Sequence, residues 1–214
     1  MNPFSRIISG TMTWGAWGAQ MSPLEMQQQI ERYYALGITT FDHADIYGGY
    51  TTEAEFGAAF RKTKIVRDQV QFITKCGIQM PCEARPLPIK HYDYSAKHIQ
   101  RSVENSLKVL QTDYLDLYQL HWPSRGVNCF GVRDYPYQTA TKEAENHLEI
   151  LETLDAFVKA GTIKAIGLSN ETPWGTMKYL QTAKDHNLVR PVTIQNSYSM
   201  IHRGYEVGLS EVSK

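Results

Sequence analysis

Thr39-Thr40-Phe41-Asp42-His43-Ala44-Asp45-Ile46-Tyr47-Gly48 opens as a β-branched and aromatic run and breaks off into charge. Short runs of that composition read as strands. This one ends on an acid, Asp42, and a tyrosine, Tyr47, follows five residues later. Two later runs end in the same manner. Ile73-Thr74-Lys75-Cys76-Gly77 brings a lysine to a strand end among apolar neighbours, and Leu120-His121-Trp122-Pro123 brings a histidine. Three strands that each deliver a polar side chain at the C-terminal end describe a parallel sheet with its chemistry on one rim.

Outward from these runs, two patterns alternate. Strands are expected at 6–12, 39–42, 70–75, 114–121, 163–169 and 192–196. Helices, with apolar residues three and four apart, are expected at 23–36, 53–60, 95–110, 146–160 and 173–186, and another starts near Tyr205. Ser22-Pro23 and Thr172-Pro173 each place a cap before a proline in the first turn. Gly37 and Gly161 follow helix ends, where positive φ is often needed. Strict alternation implies a parallel sheet with helical crossovers. A doubly wound sheet that binds a dinucleotide wants G-x-G-x-x-G after its first strand. The pairs Gly15/Gly18 and Gly48/Gly49 lack that spacing. The competing α/β architecture, the (β/α)8 TIM barrel, builds its site from the ends of several strands, as here. The expectation is one domain over residues 1–214, an incomplete barrel with about six of its eight β/α units, shortened at the C-terminal side. Segments 77–94 and 122–145 show no period. The second is rich in aromatics (Trp122, Phe130, Tyr135, Tyr137), and loops of such length are usually binding loops or lids.

Composition narrows the function classes. The chain has 214 residues, with 22 Lys and Arg against 22 Asp and Glu. A net charge of zero speaks against nucleic acid or an anionic membrane as the main partner. Cys76, Cys82 and Cys129 are too few for a disulfide framework and match no zinc spacing, so free thiols and no metal are expected. No leader-like or membrane-spanning apolar run is visible, and the expectation is a cytoplasmic protein. Nothing in the sequence assigns an oligomeric state.

The strand-end residues suit carbonyl reduction. A free tyrosine has a pKa of about 10, and a nearby ammonium lowers it. Lys75 would do this for Tyr47, with Asp42 fixing the lysine. His121 would hydrogen-bond the carbonyl oxygen, where negative charge develops, and Tyr47 would protonate it. The hydride would come from a nicotinamide. Taken singly, each residue also reads as ordinary structure: a loop acid, a rim lysine, a core tyrosine, a core histidine. His43 and Asp45 read as structural. The order on consecutive strands is what carries the argument.

Together the phrases Asp42-His43-Ala44-Asp45-Ile46-Tyr47-Gly48, Thr74-Lys75, Leu120-His121-Trp122-Pro123, Ile166-Gly167-Leu168-Ser169-Asn170 and Ile194-Gln195-Asn196 resemble the successive signatures of the aldo-keto reductase superfamily, bacterial oxidoreductase branch. The resemblance covers nearly the whole chain. It implies Tyr47 as proton donor, Lys75 and Asp42 as its tuners and His121 as the group that orients the carbonyl. It implies NADPH, less often NADH, across the barrel mouth. Gly10, Thr11, Met12 and Asp42 would lie beside the nicotinamide, and Ser169, Asn170 and Gln195 would bind its carboxamide. Trp14 and Trp122 would flank the pocket for a small carbonyl substrate. The family's nicotinamide-stacking aromatic and its 2′-phosphate loop belong to strands seven and eight, beyond the six units read here. Residues up to about Asn105, including Gly48-Gly49-Tyr50, resemble one branch. Those from about Leu110, including Asn128-Cys129-Phe130-Gly131 and Glu206-Val207-Gly208-Leu209, resemble another, a pattern that a natural recombinant, an engineered chimera or a faulty assembly of the sequence would each give. Two other functions compete: a regulatory module that binds nicotinamide cofactor, and a reductase fragment whose catalytic groups are not held in place.

Overall fold

The computed structural model describes residues 4–82, 85–86, 90–128, 134–136 and 146–214. Cys129, Phe130, Gly131 and Tyr137, named above for a thiol, a branch signature and a binding loop, lie outside the described residues. β1 (Ile8–Gly10) leads to α1 (Pro23–Ala35). Ser22 caps α1 reciprocally. Its hydroxyl accepts from the Glu25 N–H, and the Glu25 carboxylate accepts from the Ser22 N–H. β2 (Thr40–Asp42) ends at the acid, and a single turn, α2 (Tyr47–Tyr50), precedes α3 (Thr52–Phe60). Gly48 and Gly49 stand at φ +63° and +71°, a left-handed reversal open to glycine at little cost. A Cβ at Gly48 would meet Thr52 Oγ1 at 2.4 Å. The reversal breaks the chain between Tyr47 and α3, so the tyrosine is not committed to that helix.

β3 (Gln71–Cys76) is buried throughout. β4 (Ile78–Gln79) and β5 (His91–Tyr92) then pair antiparallel as a small ribbon. Segment 77–94 is therefore partly regular. Two residues per strand are too few for an alternation to show in the sequence. α4 (Ala96–Leu110), β6 (Leu117–Leu120), α5 (His147–Lys159), β7 (Ile166–Ser169), α6 (Pro173–Asp185) and β8 (Thr193–Gln195) follow. In place of one helix from Tyr205 there is a 3-10 turn, Gly204–Val207, and a short α7 (Leu209–Val212).

The main sheet has six strands in the order β1-β2-β3-β6-β7-β8, all parallel, with Gly10 opposite Asp42, Lys75 opposite Gln119 and Ser169 opposite Gln195. This is the strand-by-strand order expected of a partial (β/α)8 barrel, and the sheet is curled. β2 and β8 are four strand spacings apart, about 19 Å if the sheet were flat. Yet Gln195 Nε2 donates to Asp42 Oδ2 at 3.0 Å, a contact that only a wrapped sheet permits. Helices α1, α3, α4, α5 and α6 pack in sequence order, each against the next. Phe41, Phe56, Phe72, Tyr118, Leu151 and Leu154 belong to the main core. Ile73, Leu117, Ala165 and Phe4 form a separate cluster, which fits strand alternation: Phe72 and Ile73 point to opposite faces.

Candidate active site

Each site residue sits where a strand ends. Asp42 is the last residue of β2, Lys75 the penultimate residue of β3, His121 directly follows β6, and Ser169 and Gln195 close β7 and β8. They meet around a cleft of about 460 Å³. It is lined by Met12, Trp17, Ile46, Tyr47, Lys75, Ile78, Met80, Lys90, His121 and Trp122, and by the hydroxyl and amide side chains of Ser169, Asn170, Gln195, Asn196 and Ser197.

Lys75 organises the deepest part. Only 1% of it is exposed. Its Nζ donates to Asp42 Oδ1 at 2.6 Å, to the His43 carbonyl at 2.8 Å and to Tyr47 Oη at 3.3 Å. An ammonium has three hydrogens and no acceptor, so all three are placed. Tyr47 Oη therefore accepts from Lys75, and its own hydrogen points elsewhere. The expected lowering of the tyrosine pKa is only part of the balance. The Lys75 ammonium does pull it down, but burial is the larger cause, and with help from Asp42 the phenol sits above its usual value. Burial, then the Lys75 and Lys90 charges, hold His121 well below the ordinary imidazole range, so the ring is neutral. It lies edge-on to Tyr47 with 5.9 Å between ring centroids, and its Nδ1 is buried without a partner.

The amide-bearing side is pre-assembled. Ser169 Oγ donates to the Gln195 carbonyl, and Asn170 Nδ2 donates to the His121 carbonyl and to Ser169 Oγ, each at 3.0 Å. Asn170 takes a left-handed φ of 55°, which asparagine tolerates better than most residues. Asn196 Nδ2 donates to the Glu171 carbonyl at 2.9 Å, while Asn196 Oδ1 is buried without a partner. A carboxamide offers a donor pair and an acceptor, and this side answers with both kinds. The residues present thus fit a nicotinamide, with an unspent acceptor among them. Among the described residues no cluster of three or more His, Cys, Asp or Glu could hold a metal ion.

Some expected residues fall elsewhere. Trp14 is not in the cleft. It is 4% exposed and packs in the core against Tyr33, Phe41 and Phe56. The indole at the cleft on that side is Trp17, with its ring centroid 6.2 Å from that of Tyr47. Two residues separate the two tryptophans, and only the fold of the 11–21 loop decides which turns inward. Thr11 is fully buried. Its hydroxyl donates to the Asp42 carbonyl and bonds His43 Nδ1 at 2.8 Å, so it ties β1 to β2 away from the cleft lining. Gly10 pairs with Asp42 and does not line the cleft either; of Gly10, Thr11 and Met12 only Met12 does. Trp122 is among the lining residues. Met80 and Lys90 went unmarked in the sequence, and Asn196 reads there as part of a signature phrase without a role of its own. Met80 and Lys90 stand in a segment without a period, and Asn196 reads as the end of a strand.

The comparisons with known proteins agree with this architecture. The model of the Aldo/keto reductase family matches residues 6–213. A protein of Escherichia coli named Protein tas is 38% identical over 213 residues, 96% of this chain and 60% of its own length. That match crosses positions 105 to 110, where the two branch-like parts meet. A 6-dehydroglucose reductase of Agrobacterium fabrum is 40% identical over 186 residues, 86% of this chain and 56% of its own length. Among solved structures, the holo form of an aldo-keto reductase from Bacillus halodurans superposes with a TM-score of 0.73 at 25% identity, covering 95% of this chain and 57% of that one. The chain thus spans 56% to 60% of the length of these curated relatives.

Proposed function

The chain belongs to the aldo/keto reductase family, and from that premise we propose that the protein it represents reduces aldehydes or ketones to alcohols, with NADPH as reductant and Tyr47 as proton donor. The observation that carries this reading is the engagement of Lys75. With its three hydrogens committed to Asp42, the His43 carbonyl and Tyr47 Oη, the lysine leaves the phenolic hydrogen available to an acceptor in the cleft. When bound, the reduced nicotinamide supplies the hydride to the carbonyl carbon. The chain's residues do the rest. Ser169, Asn170, Gln195 and Asn196 would hold the carboxamide, and Met12 would border the ring. His121, kept neutral, would orient the carbonyl oxygen. Tyr47 would give that oxygen its proton as the C=O bond becomes C–O, and the phenolate left behind would face the Lys75 ammonium, which stabilises it. Trp17 and Trp122 would wall the substrate off from water.

A Tyr47→Phe variant tests this. Turnover of a simple aromatic aldehyde should fall at least about a hundredfold, while tryptophan quenching by NADPH is unchanged. Carbonyl reduction near the wild-type rate would remove Tyr47 from its role. Titration with NADPH and with NADH under the same conditions checks the cofactor; equal or tighter binding of NADH would overturn the NADPH preference. No helix among the described residues is long and apolar enough to cross a membrane. The reading places the protein in the cytoplasm, where a reducing medium suits its free thiols Cys76 and Cys82.

A further inference from the structure

A second cavity, of about 380 Å³, lies across β4 from the active cleft. Successive residues of a strand point to opposite faces, and here Ile78 lines the cleft while Gln79 lines the cavity. Its other wall is a stripe of α4: His98, Arg101, Ser102 and Asn105, spaced three and four apart and so on one helix face. Arg85 completes the lining. Cys82 and Arg85 exchange backbone hydrogen bonds, both of 3.0 Å, which fixes the backbone of Arg85. The face of its guanidinium lies over Tyr50, 3.7 Å from the ring centroid. Tyr50 is itself held, since its hydroxyl donates to the Ile78 carbonyl and accepts from the Met80 N–H. Stacking uses the face of a guanidinium and leaves its N–H groups, which lie in the plane. Among the described residues none of those of Arg85 makes a hydrogen bond, and Nη1 is buried without a partner. Arg101 Nη2 reaches only His98 Nδ1, at 3.4 Å, and His98 Nε2 meets Gln79 at 2.9 Å. Both arginines act on His98, which burial first and then their charges help to keep neutral against the pull of Asp93. No carboxylate is among the described residues that line the cavity. Asp45 lies behind Ser102, whose hydroxyl donates to its Oδ2 at 2.8 Å, and burial pushes that acid up to about 7, which weakens it as a counter-charge. Asp93 Oδ1 accepts from the Ser95 N–H.

We propose that this cavity is a second binding site, separate from the active cleft, for a small phosphate ester, with Arg85 and Arg101 as the residues that hold the phosphate. Two guanidinium groups without ion pairs on one concave wall repel each other until an anion joins them. A carboxylate is satisfied by one guanidinium fork, whereas a phosphate dianion has the charge and the oxygens for two. The Asn105 side chain, which makes no hydrogen bond among the described residues, adds an amide donor on the same wall. A cavity of this size also has room for the organic part of the ester.

Calorimetric titration of the 214-residue chain with phenyl phosphate tests the proposal, at about pH 8, where the ester is a dianion. Saturable binding is expected, at least about tenfold tighter than that of benzoate, a monoanion on the same ring. Arg85→Met and Arg101→Met should each weaken phenyl phosphate roughly tenfold. Arg101 is exposed, so its replacement leaves the core untouched and the test stands even if the Arg85 variant does not fold. Excess NADPH should leave the affinity for phenyl phosphate unchanged. No saturable binding, equal affinity for benzoate, or an affinity that survives Arg101→Met would overturn the phosphate site, and competition by NADPH would overturn its separation from the active cleft. The proposal is independent of the reductase reading, and none of these measurements requires turnover.

Discussion

At the scale of single residues, the site depends on a lysine buried near the end of β3. Lys75 is held by one carboxylate, one carbonyl and one phenol. Removing only the carboxylate leaves a buried ammonium without its counter-charge, a change that costs about 3–5 kcal/mol in folded proteins. Asp42→Ala should therefore lower the free energy of urea unfolding by that order. A loss below about 1 kcal/mol would mean that Lys75 finds water in the cleft, since exposed pairs are worth no more than that. The two tryptophans of the 11–21 loop should separate just as clearly. Trp14→Ala empties a packed aromatic site and should cost about 3–5 kcal/mol of stability. Trp17→Ala should leave the unfolding midpoint nearly unchanged and weaken binding of aromatic aldehydes. Equal effects of the two substitutions on stability would contradict their placement in core and cleft. The sequence marks both indoles alike, because a tryptophan carries no local signal for the face it turns to.

At the scale of elements, the alternation of strands and helices was legible because each helix has its own signals: the reciprocal cap at Ser22, the Thr172 cap with Pro173, and the glycines after α1 and α5. Strand lengths were less legible. The expected strand at 114–121 pairs only over Leu117–Leu120, with one further bridge between Leu115 and Ile163. The alternation of aromatic and aliphatic residues with polar ones continues beyond the residues that have a neighbour to pair with, and only the neighbour's position shows where pairing stops. Close approach between helices is equally invisible in sequence. Gly57 on α3 lies so near α4 that a Cβ there would meet the Val109 carbonyl oxygen at 2.3 Å and Leu110 Cα at 2.8 Å, both backbone atoms that cannot swing aside. Gly57→Ala should cost about 1–3 kcal/mol by overpacking, although alanine is the better helix former. A stabilised variant in thermal unfolding would show that α3 and α4 can move apart freely.

At the scale of the whole molecule, the buried ionisable groups make opposing demands on pH. Burial pushes Asp45 and Glu53 up to about 7, from the low values of free carboxyls. Their folded forms bind protons more tightly than their unfolded forms, so the stability they contribute is complete below about pH 4 and is lost as pH rises through about 7. Burial lowers His43 to about 3, with help from Lys75 and Arg67. Its folded form binds protons more weakly than its unfolded form, so its contribution is complete above about pH 6.5 and is lost as pH falls toward 3. Between about pH 4.5 and 6.5 the two slopes oppose each other. Glu53→Gln mimics the protonated acid and removes one slope. The variant should gain stability relative to the unmodified chain at pH 8 and gain none at pH 4, read from urea midpoints; the same difference at both values would refute a titrating Glu53. Glu53 also joins β3 to α4 by accepting from Thr74 and Ser106, and nothing in its local sequence marks it as buried. Local sequence therefore determined the order of elements, the parallel sheet and the strand-end positions of Asp42, Lys75, His121, Ser169 and Gln195, because propensity, caps and alternation act over a few residues. The tertiary structure alone decided the cleft. The curl of the sheet brings Gln195 to Asp42, the loop fold chooses Trp17 over Trp14, and the β4–β5 ribbon sets Lys90 at the mouth, since these contacts join residues distant in the chain through packing that no short window of sequence encodes.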